Sequence, residues 1–145
     1  MVHFEGVEAF ALPPSHVFAK LADAGFLANS LPEATVMLAT PDKSSWKVKP
    51  KMAFIAGELA TDAVVVERIP EETIRYKLDT KGIGSGSTVE AVLKFAADGT
   101  GTLVTWTGDI VAMTGLLKLA PKGLIQGSAQ QVIKDCWNAI RAKME

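Results

Sequence analysis

Between Thr35 and Met113 apolar and polar residues repeatedly alternate with a period of two, and past Gly115 the period lengthens toward 3.6. A strand turns successive side chains to opposite faces, whereas a helix gathers positions three and four apart. The chain must therefore build a sheet first and a helix last.

"WKVKPKMAF" sets Trp46, Val48, Met52 and Phe54 on one face and Lys47, Lys49 and Lys51 on the other. Pro50 places that strand at an edge or on a bulge. "TIRYKLDTK" sets Ile74, Tyr76 and Leu78 opposite Arg75, Lys77 and Asp79. "ATVMLAT", before a turn at "PDKSS", and "GELATDAVVVERI", before the turn "PEE", read as further strands. Asp98-Gly99 separates two alternating runs and predicts a hairpin. Ahead of them, 2–12 reads as a strand that ends at Pro13-Pro14, and Pro14 suits a first helical turn. "PSHVFAKLAD" and "AGFLANSLP" read as two short helices, the second ending before Pro32. At the other end Ile125, Ala129, Val132, Ile133, Cys136, Trp137, Ile140 and Met144 form one helical stripe. Pro121 and Gly123 predict a kink, or a short helix ahead of the main one.

The expected fold is thus α+β. A curved antiparallel sheet of about seven strands wraps around a long C-terminal helix, with two short helices after the first strand. All 145 residues fit one domain, 1–145. One helix cannot fill the interior of such a sheet, and pockets favour concave apolar places. The strand residues Trp46, Met52, Phe54, Tyr76, Trp106 and Ile110, with Leu117, Leu124 and Ile125 from the helical region, are the candidate cavity lining. Tyr76 and the indole N–H of Trp46 or Trp106 are the groups suited to orient a carbonyl-bearing ligand.

Other chemistry is weakly represented. Fifteen basic and sixteen acidic residues give a net charge of −1, against a dedicated nucleic-acid binder. The lone Cys136 permits no intrachain disulfide and suits a reducing compartment. No apolar run is long enough to span a bilayer, and the first residues do not read as a signal peptide. His3, His16 and Cys136 have no zinc-like spacing, and no base partner is apparent for either histidine. Asp109 should face outward, opposite Trp106 and Ile110. "KGIGSGS" resembles a phosphate loop but is followed by strand residues rather than a helix. Gly82, Gly84 and Gly86 read instead as the start of a strand, or a bulge, at the rim of the cavity. "GLLKLAPKGLI" could gate the cavity or, with Lys118 and Lys122, lie in a membrane interface.

Four stretches carry a resemblance: "ALPPSHVFAKLAD" (11–23), "LANSLPEA" (27–34), "KGIGSGSTVEAVLKF" (81–95) and "DGTGTLVTWTGDIVAMTGLLKLAPKGLIQ" (98–126). The order of elements resembles the helix-grip fold of the START-like (SRPBCC) superfamily. Within it, the four stretches look like the G-subunit family of carbon monoxide dehydrogenase, although the strand that often carries a Gly-Pro pair reads Lys49-Pro50-Lys51 here. That resemblance implies a non-catalytic accessory protein without a resident cofactor. It would hold a quinone or lipid and assist a molybdenum-containing dehydrogenase or hydroxylase, in the cytoplasm at the inner face of the membrane. The alternatives are a polyketide cyclase-like enzyme, which needs His16, Asp109 or Glu90 inside the pocket, and a pure recruitment module.

Overall fold

A computed structural model of the chain describes residues 2–31, 33–49, 58–82, 84–119 and 121–144, without the side chains of Leu116 and Leu117. Strand β1 (Val2–Phe10) leads to α1 (Pro14–Leu21) and α2 (Ala24–Ser30). Strands β2 (Thr35–Ala39), β3 (Lys43–Val48), β4 (Leu59–Ile69), β5 (Thr73–Gly82), β6 (Ser85–Asp98) and β7 (Gly101–Gly115) follow. A single turn, α3 (Leu116–Leu119), precedes the long α4 (Lys122–Met144). The described strands form one sheet in the order β1-β7-β6-β5-β4-β3-β2, antiparallel at every pairing.

Local chemistry sets the boundaries. Pro14 opens α1, and the Asp23 carboxylate accepts from the backbone N–H groups of Gly25 and Phe26 to cap α2. The expected turn over 41–45 is shorter than its sequence suggested. The Thr40 hydroxyl donates to the Lys43 carbonyl and accepts from the Lys43 N–H, so β3 already starts at Lys43. Asp98-Gly99 makes the expected hairpin, with Gly99 at φ 60°. Among the two alternatives for the break near Pro121, the structure has the short helix α3.

Of the glycine run, Gly86 does lie at the start of a strand, β6, whereas Gly82 ends β5. Gly82 pairs with Ser85, so the chain reverses between β5 and β6 there. Gly84 has φ 69°. A Cβ on Gly115, itself at φ 63°, would sit 1.9 Å from the Gly84 carbonyl oxygen. The run therefore lets a hairpin turn lie against the end of β7.

The two ends of the sheet differ. At one end are the turns 40–42, 70–72 and 98–100, covered by α1 and α2. Val17, Leu21 and Ala24 are fully buried there, packed with Ile74, Tyr76, Phe95 and Val104. Full burial stabilises each such valine or leucine by about 1.5–3 kcal/mol. The Tyr76 hydroxyl donates to the Leu21 carbonyl at 2.6 Å, and Arg68 donates to the Ala22 carbonyl through Nε and Nη2. At the other end Gly84 and Ser85 meet the end of β7, with α3 beside them.

The stripe on α4 is less covered than its periodicity implied. Ile125, Ile140 and Met144 are buried, whereas Val132 is 44% exposed and Ile133, Cys136 and Trp137 are only half-buried. The backbone of α4 comes close to β1 and α2. Its last turns are held by Arg141, which donates to the Ala9 carbonyl and to Glu8 Oε1 and lies over the Phe10 ring.

The Gly84–Gly115 contact predicts a mutational contrast. Gly99 and Gly115 share a left-handed backbone, but a Cβ on Gly99 meets nothing within 4 Å. Gly99→Ala should cost about 1–2 kcal/mol in urea unfolding. Gly115→Ala should cost more, because the turn must also move. Equal losses would show that the two backbones do not press together.

Candidate functional site

The inward face of the sheet is apolar but incompletely covered. Leu78, Val89, Ala91, Trp106 and Ile110 alternate inward, yet each is only half-buried. Gly108 lies among them, opposite Phe4 of β1 and Ala91 of β6. It is buried, and a Cβ built on it would meet nothing within 4 Å. There is open space above the centre of the sheet, under the span of α4 whose own apolar side chains are half-buried.

Beside this space, between β1 and α4, lies a hollow of about 560 Å³ lined by Phe4, Trp106, Ile133 and Trp137. His3, Glu5, Glu8 and Lys134 stand among its polar lining. The indoles of Trp106 and Trp137 have centroids 6.2 Å apart, and Phe10 lies 6.3 Å from Trp137. Trp106 is laid over Gly6, its cross-strand partner: a Cβ there would come within 2.7 Å of Cζ2. Its Nε1–H is buried and has no acceptor among the described residues.

Of the nine residues expected to line a cavity, Trp106 lines this hollow. Ile110 lies one inward position beyond Gly108. Trp46 is buried farther across the sheet, with Ala28 and Ala63. Tyr76 is buried under α1 and its hydroxyl already donates to Leu21, so it has no proton left for a ligand carbonyl. Ile125 is buried, while its neighbour Leu124 is 48% exposed. Met52, Phe54 and the side chain of Leu117 lie outside what the structure describes. Gly82 and Gly86 line a separate hollow of about 320 Å³ with Lys81, Thr88 and Thr114, and Gly84 forms the adjoining turn.

Sequence reasoning passed over Trp137 and Ile133, although both were visible in the α4 stripe. It also missed the partner of His3. Asp109 does face outward, but it is not merely solvated: its Oδ1 lies 2.5 Å from His3 Nδ1, directly across the β1–β7 ladder. That hydrogen bond and charge, with Glu5 3.7 Å from Nε2, raise the His3 pKa above its usual 6.5. Cys136 is a protonated thiol at neutral pH, because burial and the neighbouring Asp135 push its pKa up to about 11. Among the described residues no group of His, Cys, Asp and Glu is placed to hold a metal ion.

Residues 1–145 match the profile of a family described as polyketide cyclase/dehydrase and lipid transport. The chain belongs to that family. Solved structures similar to this chain include a conserved protein from Geobacillus kaustophilus, 17% identical, with TM-score 0.84 over 99% of this chain and 95% of that one. A START superfamily protein from Mycobacterium smegmatis is 12% identical, with TM-score 0.74 over 98% and 96%. A protein of the dynemicin biosynthetic locus is 13% identical, with TM-score 0.59 over 97% of this chain and 46% of that one. No curated protein matches. At these identities the structural likeness establishes the fold, the helix-grip arrangement expected from the sequence. The family description covers both an enzymatic and a transport activity, so membership leaves catalysis open.

The His3–Asp109 pair has a signed pH dependence. A raised folded-state pKa gives stability that is complete below the unfolded value and is lost as pH rises through the folded value. Melting temperatures of wild type and His3→Gln, taken from about pH 5.5 to 9, should therefore converge at the alkaline end and separate at the acid end. A constant gap would exclude the pair as its cause.

Proposed function

We propose that the protein binds a hydrophobic small molecule, of the quinone or lipid class, in the space between the sheet and α4, without transforming it. The observation that carries the reading is the open volume above Gly108, walled by apolar side chains that are neither packed nor fully exposed. The buried, unpartnered Nε1–H of Trp106 supports a ligand with a carbonyl oxygen. A buried donor left unpaired costs about 1–3 kcal/mol, and a ligand acceptor would recover it.

Support for a non-catalytic role comes from where the candidate acid–base groups lie. His16 is exposed on α1 and Glu90 is exposed on the outer side of β6. Asp109 faces outward on β7, and His3, at the edge of the hollow, is already engaged with it. At the hollow itself, Glu8 is paired with Arg141 at 2.8 Å. In this reading the protein serves a molybdenum-containing carbon monoxide dehydrogenase or a related hydroxylase as an accessory. The sequence resemblance of 81–95 and 98–126 to the dehydrogenase's G-subunit family supports that partner, and a pull-down with such an enzyme tests it.

Gly108→Leu fills the proposed site from the inside with little demand on the backbone. The variant should fold and melt near wild type yet lose binding. Ubiquinone, menaquinone and a long-chain fatty acid serve as probes, in native mass spectrometry and in quenching of tryptophan emission. Trp106→Phe should weaken the quinones by about 5–10-fold through loss of one hydrogen bond, and the fatty acid less. Failure of the wild type to bind any of the three would overturn the reading.

A further inference from the structure

The two edges of the sheet are unlike. Strand β2 is five residues long and irregular between Val36 and Leu38, and short, bulged edges resist pairing with another chain. Strand β1 is nine residues long, pairs with β7 in unbroken register and contains no lysine or proline. Its inward-facing charge, Glu8, is bonded to Arg141. The Ala9 carbonyl turns to the free side, where Arg141 meets it, and that of Phe10 turns to Gly101 of β7. Backbone groups alternate sides along a paired strand, so His3, Glu5 and Val7 also present N–H and C=O to the free side. Among the described residues no turn, helix or side chain meets the backbone groups of those three.

A groove runs beside this edge. The hollow between β1 and α4 touches His3, Phe4 and Glu5 in succession. Consecutive side chains of a strand point to opposite faces, so the hollow reaches the edge of the strand itself. Its far wall is built by Ile133 and Trp137 of α4, both half-buried. N–H and C=O groups offered together at every second residue are matched by another extended chain, which carries the same spacing. A quinone or a lipid tail has nothing that repeats in this way.

We propose that an extended segment of a partner protein adds to the free edge of β1, between β1 and α4. Main-chain hydrogen bonds to His3, Glu5 and Val7 supply affinity, and alternate side chains supply specificity. The side chains opposite Phe4 and Gly6 enter the hollow against Ile133 and Trp137 and are apolar. The one opposite Glu5 lies on the outer face. There the charged neighbour of Glu5 is His3 at 3.7 Å, itself held by Asp109 at 2.5 Å, so a lysine or arginine suits that position. Arg141 at Ala9 closes one end of the groove, and His3 to Val7 takes a segment of about five residues. A second copy of this chain fits less well. Paired β1 strands would lie about 4.8 Å apart, whereas the α4 helices flanking them need about 8–10 Å. The inference goes beyond the small-molecule reading, because the β1 backbone holds the segment and the space above Gly108 does not.

The probe is a fluorescein-labelled peptide, Gly-Ser-Thr-Leu-Lys-Leu-Thr-Ser-Gly, titrated into the full chain without quinone or lipid, so that the outcome is separate from theirs. Anisotropy reads binding, and backbone amide shifts in NMR locate it. The wild type should bind, with the amides of His3, Glu5 and Val7 among the most shifted. Val7→Pro removes an N–H that β7 does not use, and an edge strand tolerates it. It should weaken binding at least about 5-fold, the worth of one hydrogen bond, whereas Val7→Thr should not. N-methylation of the peptide's lysine should weaken binding similarly with the protein unaltered, which keeps the test valid if Val7→Pro fails to fold. No binding by the wild type, shifts confined elsewhere on the chain, or indifference to both changes overturns the inference. So does a dimer of the free chain in sedimentation that Val7→Pro dissolves, which would give the edge to a second copy.

Discussion

The architecture depends on how the end of α1 is fastened to the sheet. A helix leaves its last carbonyls without partners, and burying them unmet would oppose folding. Here the Tyr76 hydroxyl takes the Leu21 carbonyl and the Arg68 guanidinium takes that of Ala22. Arg68 also reaches the Pro41 carbonyl and the Asp42 carboxylate. The N–H groups of Ala24 and Gly25 donate to the Pro41 and Thr40 carbonyls. Two sheet residues thereby fix the α1–α2 corner, and with it Val17 and Leu21, against one end of the concave face. That end becomes a packed core.

The other end is left open by the same arrangement. Arg141 fastens the last turns of α4 to the Ala9 carbonyl of the edge strand, and Trp137 rests against Phe10 and Trp106. Aromatic bulk at that point holds the helix off the sheet, while Gly108 and Ala91 supply too little volume to rise and meet it. Proteins do not leave such space in a core that exists only for stability, since each lost contact forfeits dispersion and transfer energy. A sheet built with small residues under a propped helix is better suited to hold something else.

What could be read from the sequence divides along contact distance. Strand alternation, the Asp98-Gly99 hairpin, Pro14 at the start of α1 and the break before α4 are written in neighbouring residues, and all are present. The α4 stripe was equally legible, but periodicity reports which face is apolar, not whether anything covers it. Trp137 and Ile133 belong to the hollow only because Trp106 and Phe4 meet them there, and no local pattern encodes that meeting. His3 and Asp109 lie 106 positions apart and face each other through the register of β1 on β7. Tyr76 looked like a ligand contact because its inward direction was visible, whereas the helix carbonyl waiting for its hydroxyl was not. The glycine run was legible only in part. Its composition pointed to special backbone, but whether that meant a rim, a bulge or a turn depended on Gly115, far along the chain from Gly84.

Net charge hides what the fold does with charge. A sum of −1 argues against strong nucleic-acid binding, yet it says nothing about separation of the charges that make it. An antiparallel sheet sends alternate turns to opposite ends, so residues spread evenly along a sequence can be sorted in space. Asp42, Glu71, Glu72 and Asp98 occupy turns that all fall at the closed end, and the same fold brings Arg68 to Asp42 and Arg75 to Glu67 there. Sorting by the sheet thus sets opposite charges within reach of one another, which no sum over the sequence can show.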